Sequence, residues 1–309
     1  TTEESSAASD VYKRQSLTGG QQKADPNPTE GVGQAMASTK SGELTSRIVS
    51  GVVLSAVTLG LLWVGSWPFA ILIAAAAIVM SWEWSRLVRS IDHDGAFIVQ
   101  GASVAFAALT AAYGMPALGL IGLLIGAGIV FFMTQGDHPL LSVTGVFYIG
   151  LPAISMTWLR SDEPLGFLAV LFVYLVVWVS DTSAYIAGRG LGGQKLWPDI
   201  SPNKTWAGFG GALVGSAIAG TLFAIFVTKG PPLTLAFTAM VLGGVAQAGD
   251  LAESALKRHF NVKDVSGLIP GHGGFMDRLD SIVAVAFCAG ILALFLDPTA
   301  PARALFFGG

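Results

Sequence analysis

Apolar residues in this chain come in long, nearly unbroken runs, not in the alternating or every-third pattern of a water-soluble fold. Nine runs stand out, at 48–64, 67–84, 96–113, 115–134, 140–159, 165–187, 207–228, 233–256 and 275–296. A helix needs about 20 mostly apolar residues to cross a bilayer core, so each run predicts a membrane-spanning helix. Met115-Pro116 separates the third from the fourth, because proline cannot continue a helix and pushes the residue before it to extended backbone. The expected architecture is an all-α, polytopic transmembrane bundle of about nine spans.

The first 35 residues break the pattern. They are rich in Ser, Thr, Gly, Gln and charge, and lack the apolar periodicity of a packed core. Nor do they contain the apolar stretch of a secretory signal. Met36 opens a short polar run before the first span and reads as the natural start, with 1–35 a disordered or non-native extension. Residues 36–180 then form N-terminal transmembrane helices, and 181–309 a C-terminal catalytic transmembrane region.

Composition fits lipid. Hydrophobic residues make up 52% of the chain and charged residues 12%, against about 25% charged in soluble proteins. A net charge of −3 argues against a nucleic-acid partner. Cys288 is the single cysteine, which excludes an internal disulfide or a cysteine metal cluster, and it reads as a small buried hydrophobe. None of His93, His138, His259 and His272 pair at the spacing of a helical zinc site.

The cations orient the bundle. With Met36 inside and nine spans, Lys40, Arg47, Arg86, Arg89, Arg189, Lys195, Lys204, Lys257, Arg258, Lys263 and Arg278 fall on the cytoplasmic side, and Arg160, Lys229 and Arg303 outside. That bias predicts a cytoplasmic N-terminus, and the expected location is the cell's inner, cytoplasmic membrane with the site facing the cytoplasm. Trp63, Trp67, Trp82, Trp84, Trp158 and Trp197 lie at or near span ends, where aromatic belts form. Gly210, Gly211, Gly215, Gly243 and Gly244 predict close helix packing.

Charge is distributed unevenly. Spans up to Ser180 are nearly bare, apart from Glu83, whereas acids and bases crowd 181–280. Charge inside a membrane segment is costly and marks function by default. Asp250, Glu253, Ser254 and Lys257 form one polar stripe on a helix, readable either as a salt-bridge ladder or as ligands. In Ile269-Pro270-Gly271-His272-Gly273-Gly274-Phe275-Met276-Asp277-Arg278-Leu279-Asp280, glycines let amides approach a phosphate, and Asp277 and Asp280 face one way. Hard carboxylate oxygens of this kind suit Mg²⁺, although aspartates in a first helical turn also cap the helix. The loop after Ser180 holds Asp181, Arg189, Lys195, Ser201, Lys204 and Thr205 among glycines and prolines. It fits a triphosphate, or equally an ordinary basic cytoplasmic loop.

Residues 254–280, reading S-A-L-K-R-H-F-N-V-K-D-V-S-G-L-I-P-G-H-G-G-F-M-D-R-L-D, resemble the signature of the phosphatidate cytidylyltransferases, or CDP-diacylglycerol synthases. The shared positions are Ser254, Lys257, Arg258, Lys263, Asp264, Pro270, His272, Gly273, Gly274, Asp277, Arg278 and Asp280. Asp181, Ala184, Tyr185, Gly188, Arg189, Lys195, Leu196, Ser201, Pro202, Lys204 and Thr205 extend the resemblance upstream, with Ala207 a departure where members often carry a polar residue. Before residue 181 the resemblance is general: apolar spans and Glu83-Trp84. It implies a helical membrane enzyme, usually a homodimer, taking CTP and phosphatidic acid, with Asp250, Asp277 and Asp280 holding Mg²⁺ as two divalent or mixed ions. Asp250, Lys257, Arg258, Asp277, Arg278 and Asp280 are the expected catalytic residues. Asp181, Arg189, Lys195, Ser201, Lys204, Thr205, Ser254, Lys263, His272, Gly273 and Gly274 are expected to bind substrate. Alternatives are a CTP-dependent enzyme for another membrane lipid, or a cation- or proton-coupled transporter using Asp181 and Asp250.

Overall fold

A computed structural model of the chain describes residues 49–268 and 273–308. The expectations for 1–35 and Met36 fall outside these residues. The helices are α1 (Val49–Val64), α2 (Ser66–Arg89), α3 (Gly95–Ala112), α4 (Pro116–Met133), α5 (Pro139–Ser161), α6 (Gly166–Leu191), α7 (Trp206–Phe223), α8 (Pro232–His259), α9 (Asp280–Leu296) and α10 (Pro301–Phe307). All nine predicted runs are helical. Among the described residues seven helices, α2 to α8, are long and apolar enough to cross a membrane, and α9 with α10, bent by 90°, make an eighth candidate. The shorter α1 completes the set, so nine is an approximate count of a multi-pass membrane fold.

Local chemistry sets several boundaries. Proline opens α4, α5, α8 and α10, where its missing amide hydrogen has no helical partner to lose. Asp94 caps α3 by accepting from the Phe97 amide at 2.7 Å. Thr205 caps α7 by accepting from the Gly208 amide at 3.0 Å. Between α6 and α7 the chain forms an unpredicted antiparallel hairpin, β1 (Lys195–Trp197) and β2 (Ser201–Thr205), with Lys195 opposite Thr205.

The helices bury two apolar clusters. One centres on α6, α8, α9 and α10, with Phe172, Leu235 and Phe306 fully buried. The other joins α2, α3 and α5 to Met276 and Val283, at the start of the last span. Small residues let backbones meet, as lipid-embedded packing requires. A Cβ on Gly211 would lie 2.3 Å from Ala187 Cβ, and one on Gly243 would lie 2.2 Å from Ser216 Oγ. Gly210, by contrast, faces open space. Trp63, Trp67 and Trp197 are at least half exposed, but Trp84 is 2% exposed. It belongs to the second core rather than to an aromatic belt, and its indole donates to the Leu141 carbonyl at 3.0 Å.

Candidate active site

The end of α6, the hairpin, the start of α7, the end of α8 and the start of α9 converge. Gly249 makes the α8–α9 approach possible, since a Cβ there would sit 2.5 Å from Ala284 Cβ and 3.0 Å from the Asp280 carbonyl. A polar network joins α6, the hairpin and α8. Lys204 Nζ pairs with Asp250 Oδ2 at 2.8 Å and donates to the Gln247 carbonyl at 3.2 Å. Gln247 Nε2 donates to Asp181 Oδ1 at 3.0 Å and to Ser180 Oγ at 3.2 Å. Ser254 donates to Asp250 Oδ1 at 3.3 Å. Beside this network a cavity of about 510 Å³ is lined by Asp181, Arg189, Asn203, Lys204, Thr205 and Asp250, among others. Arg189 donates to the Tyr185 hydroxyl at 2.6 Å.

A second network gathers at the loop before α9. Lys257 Nζ lies 2.6 Å from Asp277 Oδ1 and 3.3 Å from Glu253 Oε1. Asp277 Oδ2 accepts from the amides of Gly274 at 3.0 Å and Val265 at 3.4 Å. Burial pushes the Asp277 carboxyl up, but hydrogen bonds led by that from Lys257 outweigh it and hold the group below its ordinary value. Glu253 is 2% exposed, and among the described residues neither of its carboxylate oxygens accepts a well-aligned hydrogen bond despite the nearby lysine. The stripe on α8 therefore runs as predicted, but its strongest partners come from other elements. Loop amides expected to face phosphate instead meet carboxylates: Gly274 donates to Asp277, and Phe275 and Met276 donate to Glu83.

Asp181, Asp250 and Asp280 lie within electrostatic range of one another, and Glu253 lies within range of both Asp277 and Asp280. Among the described residues no group of three or more His, Cys, Asp or Glu side chains is gathered to hold a metal ion. Asp250 and Asp277, expected to share an ion, are each paired with a different lysine. Hard oxygen donors in excess of their lysine partners nonetheless fit a divalent cation chemically.

Of the remaining predicted residues, Lys195 and Ser201 lie on the hairpin outside the cavity lining, and Arg258 and Lys263 are exposed. His272 lies outside the described residues. Gly273 takes a positive φ of 83°, which glycine tolerates best. Sequence reading missed Gln247, Asn203 and the holding role of Glu83. Gln247 extends the α8 stripe one turn back from Asp250, so the same periodicity would have found it.

A separate apolar cleft of about 290 Å³ runs between α1, α2, α5, α6 and α9, lined by residues such as Leu54, Met80, Pro152 and Ile282. Phe275 and Arg278 also line it. The fold is that of a multi-pass membrane protein whose helix bundle holds a polar, charged cavity and an apolar cleft. The sequence profile of the Cytidylyltransferase family matches residues 45–296. Phosphatidate cytidylyltransferase of Brucella suis biovar 1 (strain 1330) is 37% identical over 266 residues, covering 85% of this chain and 98% of that protein. Phosphatidate cytidylyltransferase of Bacillus subtilis (strain 168) is 34% identical, covering 82% and 99%. This chain belongs to the cytidylyltransferase family and is a nucleotidyltransferase.

Proposed function

We propose that the chain transfers the cytidylyl group of CTP to phosphatidic acid, releasing pyrophosphate and forming CDP-diacylglycerol. The observation that carries the reading is that α6 lines the apolar cleft through Tyr174 and Trp178 and, one turn on, the polar cavity of acids and cations through Asp181, while Phe275 and Arg278 bring the loop before α9 to the cleft. A phosphate oxygen of the lipid attacks the α-phosphate of CTP, a new P–O bond forms, and the bond to the β-phosphate oxygen breaks. The lipid phosphate is already ionised at neutral pH, its second pKa being about 6, so no strong general base is required.

Two anions must meet, so neutralisation dominates catalysis. Lys204, Arg189 and Thr205 face the triphosphate, and Arg278, at the cleft, faces the lipid phosphate. Lys257 sets the carboxylates of the α8–α9 junction, while Arg258, Lys263 and His272 supply outer phosphate contacts. Mg²⁺ would be held by Asp250, Asp277 and Asp280, with Asp181 and Glu253 adding negative charge nearby. When bound, the ion neutralises phosphate charge and stabilises the leaving pyrophosphate. Acyl chains lie in the apolar cleft, the headgroup reaching the polar cavity from the cytoplasmic face of the inner membrane. A homodimer is the proposed assembly.

Purified protein given radiolabelled CTP and phosphatidic acid should form labelled CDP-diacylglycerol. Chelator should abolish turnover and Mg²⁺ restore it; chelator-resistant turnover would remove the metal from the mechanism. Among acceptors, phosphatidic acid should outpace polyprenyl and ether-linked phosphates. A faster polyprenyl acceptor would reassign the lipid.

A further inference from the structure

Glu83 lies on α2, far from the segment that carries the proposed site, and is fully buried. A carboxylate inside an apolar helix costs several kcal/mol unless other groups compensate it. Among the described residues, its hydrogen-bond donors come from one loop nearly two hundred positions away. The Ser266 hydroxyl and the Phe275 amide, at 2.7 Å, donate to Oε1, and the Met276 amide donates to Oε2 at 2.5 Å. These donors lie in two described stretches, one at Ser266 and one at Phe275–Met276. A Cβ on Gly274 would lie 3.1 Å from Glu83 Oε1 and 2.7 Å from Asp277 Oδ2, so two carboxylates flank that position. Met276 is itself fully buried, in the same cluster as Trp84, the neighbour of Glu83.

We propose that Glu83 is a positioning residue: its carboxylate clips Ser266 and the Phe275–Met276 backbone onto α2 and so aims Asp277, Arg278 and Asp280 at the reacting phosphates. The inference rests on the cytidylyl-transfer reading and deepens it. Glu83 touches no substrate and acts through the loop. Both oxygens are used, so charge and shape are matched to amide donors; a neutral side chain of equal size cannot reproduce this, because an amide nitrogen accepts nothing. Neighbours of the clip line the apolar cleft. Met80, one turn before Glu83, lines it, and so does Phe275, whose amide Glu83 holds.

The test uses full-length Glu83→Gln in detergent micelles, with two readouts. Hydrogen exchange should accelerate about tenfold in peptides covering Ser266 and Phe275–Met276 and stay unchanged elsewhere, as expected for local release of held amides. With CTP and phosphatidic acid, kcat should fall about thirtyfold while KM for CTP changes less than about threefold, since a shift of about 1 Å in a catalytic group has an effect of this order. Unchanged exchange in the loop would overturn the clip. Faster exchange with wild-type kcat would overturn its role in positioning. Should Glu83→Gln fail to fold, Ser266→Ala decides by the same readouts, with smaller changes expected in the same direction and wild-type behaviour counting against the proposal. Wild-type protein that did not turn over CTP at all would defeat the transfer reading, while exchange would still judge the clip.

Discussion

Two regions bury charge in this molecule, and they do so differently. At the C-terminal end of α5, Arg160 is 4% exposed, and acceptors from three neighbours meet it there. It donates to the Leu62 carbonyl at 3.1 Å, to Ser66 at 3.3 Å and to Glu163 at 2.6 Å. Adjacent Asp162 accepts from the Ala302 amide at 2.7 Å, anchoring α10. At the junction of α6, α8 and α9, five acids crowd together: Asp181, Asp250, Glu253, Asp277 and Asp280. Lys204 and Lys257 pair with some of that group, and Glu253 is left without an aligned donor. Charge that holds a fold is saturated by its neighbours. Charge in excess of one sign is what bound cations and phosphates would balance.

The sharpest way to break that distinction is Asp277→Asn. Lys257 keeps Glu253 at 3.3 Å, so folding should survive. Turnover should fall about a thousandfold, the scale of losing one electrostatic stabiliser in a preorganised site. Near-normal turnover would place Asp277 with Arg160, as a structural charge. Gly249→Ala comes next. The added methyl would collide with Ala284 and force α9 off α8, at a cost of about 1–3 kcal/mol. Because Asp280 moves with α9, kcat should drop by about tenfold to a hundredfold, the upper figure being that for a catalytic group displaced by about 1 Å. An unimpaired kcat would show that the spacing of Asp250 and Asp280 does not matter.

Arg160→Met is the converse experiment. It removes a buried cation and its bonds to Leu62, Ser66 and Glu163, so thermal melts should report a loss of about 2–3 kcal/mol, reduced because Glu163 is 60% exposed. Kinetic constants should hold at temperatures where the variant is folded. A collapse of kcat without a change in melting would instead give the far end of α5 a role in catalysis.

Much of this arrangement was legible in the order of residues. The nine apolar runs are helices because length and hydropathy decide that outcome in lipid, whatever the neighbours. Asp250 and Lys257 could be placed on one stripe because helical periodicity is local. Their partners could not be read in the same way. Lys204–Asp250, Lys257–Asp277 and Glu83 with Phe275 join elements across 46, 20 and 192 positions, and nothing in a single helix fixes which element it meets. Trp84 shows the same limit. Its place at a span end suggested a belt, but packing against α5 decides its burial. The hairpin at Lys195–Thr205 escaped because glycine and proline marked a loop without fixing how the loop pairs.

The finest test of how closely α6 and α7 approach compares two adjacent glycines. On Gly211 a Cβ would meet Ala187 Cβ at 2.3 Å and the Ser183 carbonyl at 2.9 Å, while on Gly210 it would meet nothing within 4 Å. Alanine is favoured over glycine inside a helix by about 0.5–1 kcal/mol. Gly210→Ala should therefore raise the melting temperature slightly and leave kcat unchanged. Gly211→Ala gains the same propensity but must push α6 and α7 apart, a cost of about 1–3 kcal/mol that reverses the sign. Ala187 and Ser183 lie on the same stretch of α6 as Asp181, so separating the helices there should also lower affinity for CTP by a few-fold, short of the larger losses expected from direct displacement of a catalytic group. Equal melting temperatures for the two variants would mean that α6 and α7 are not in backbone contact, and the cavity between them would lose its wall.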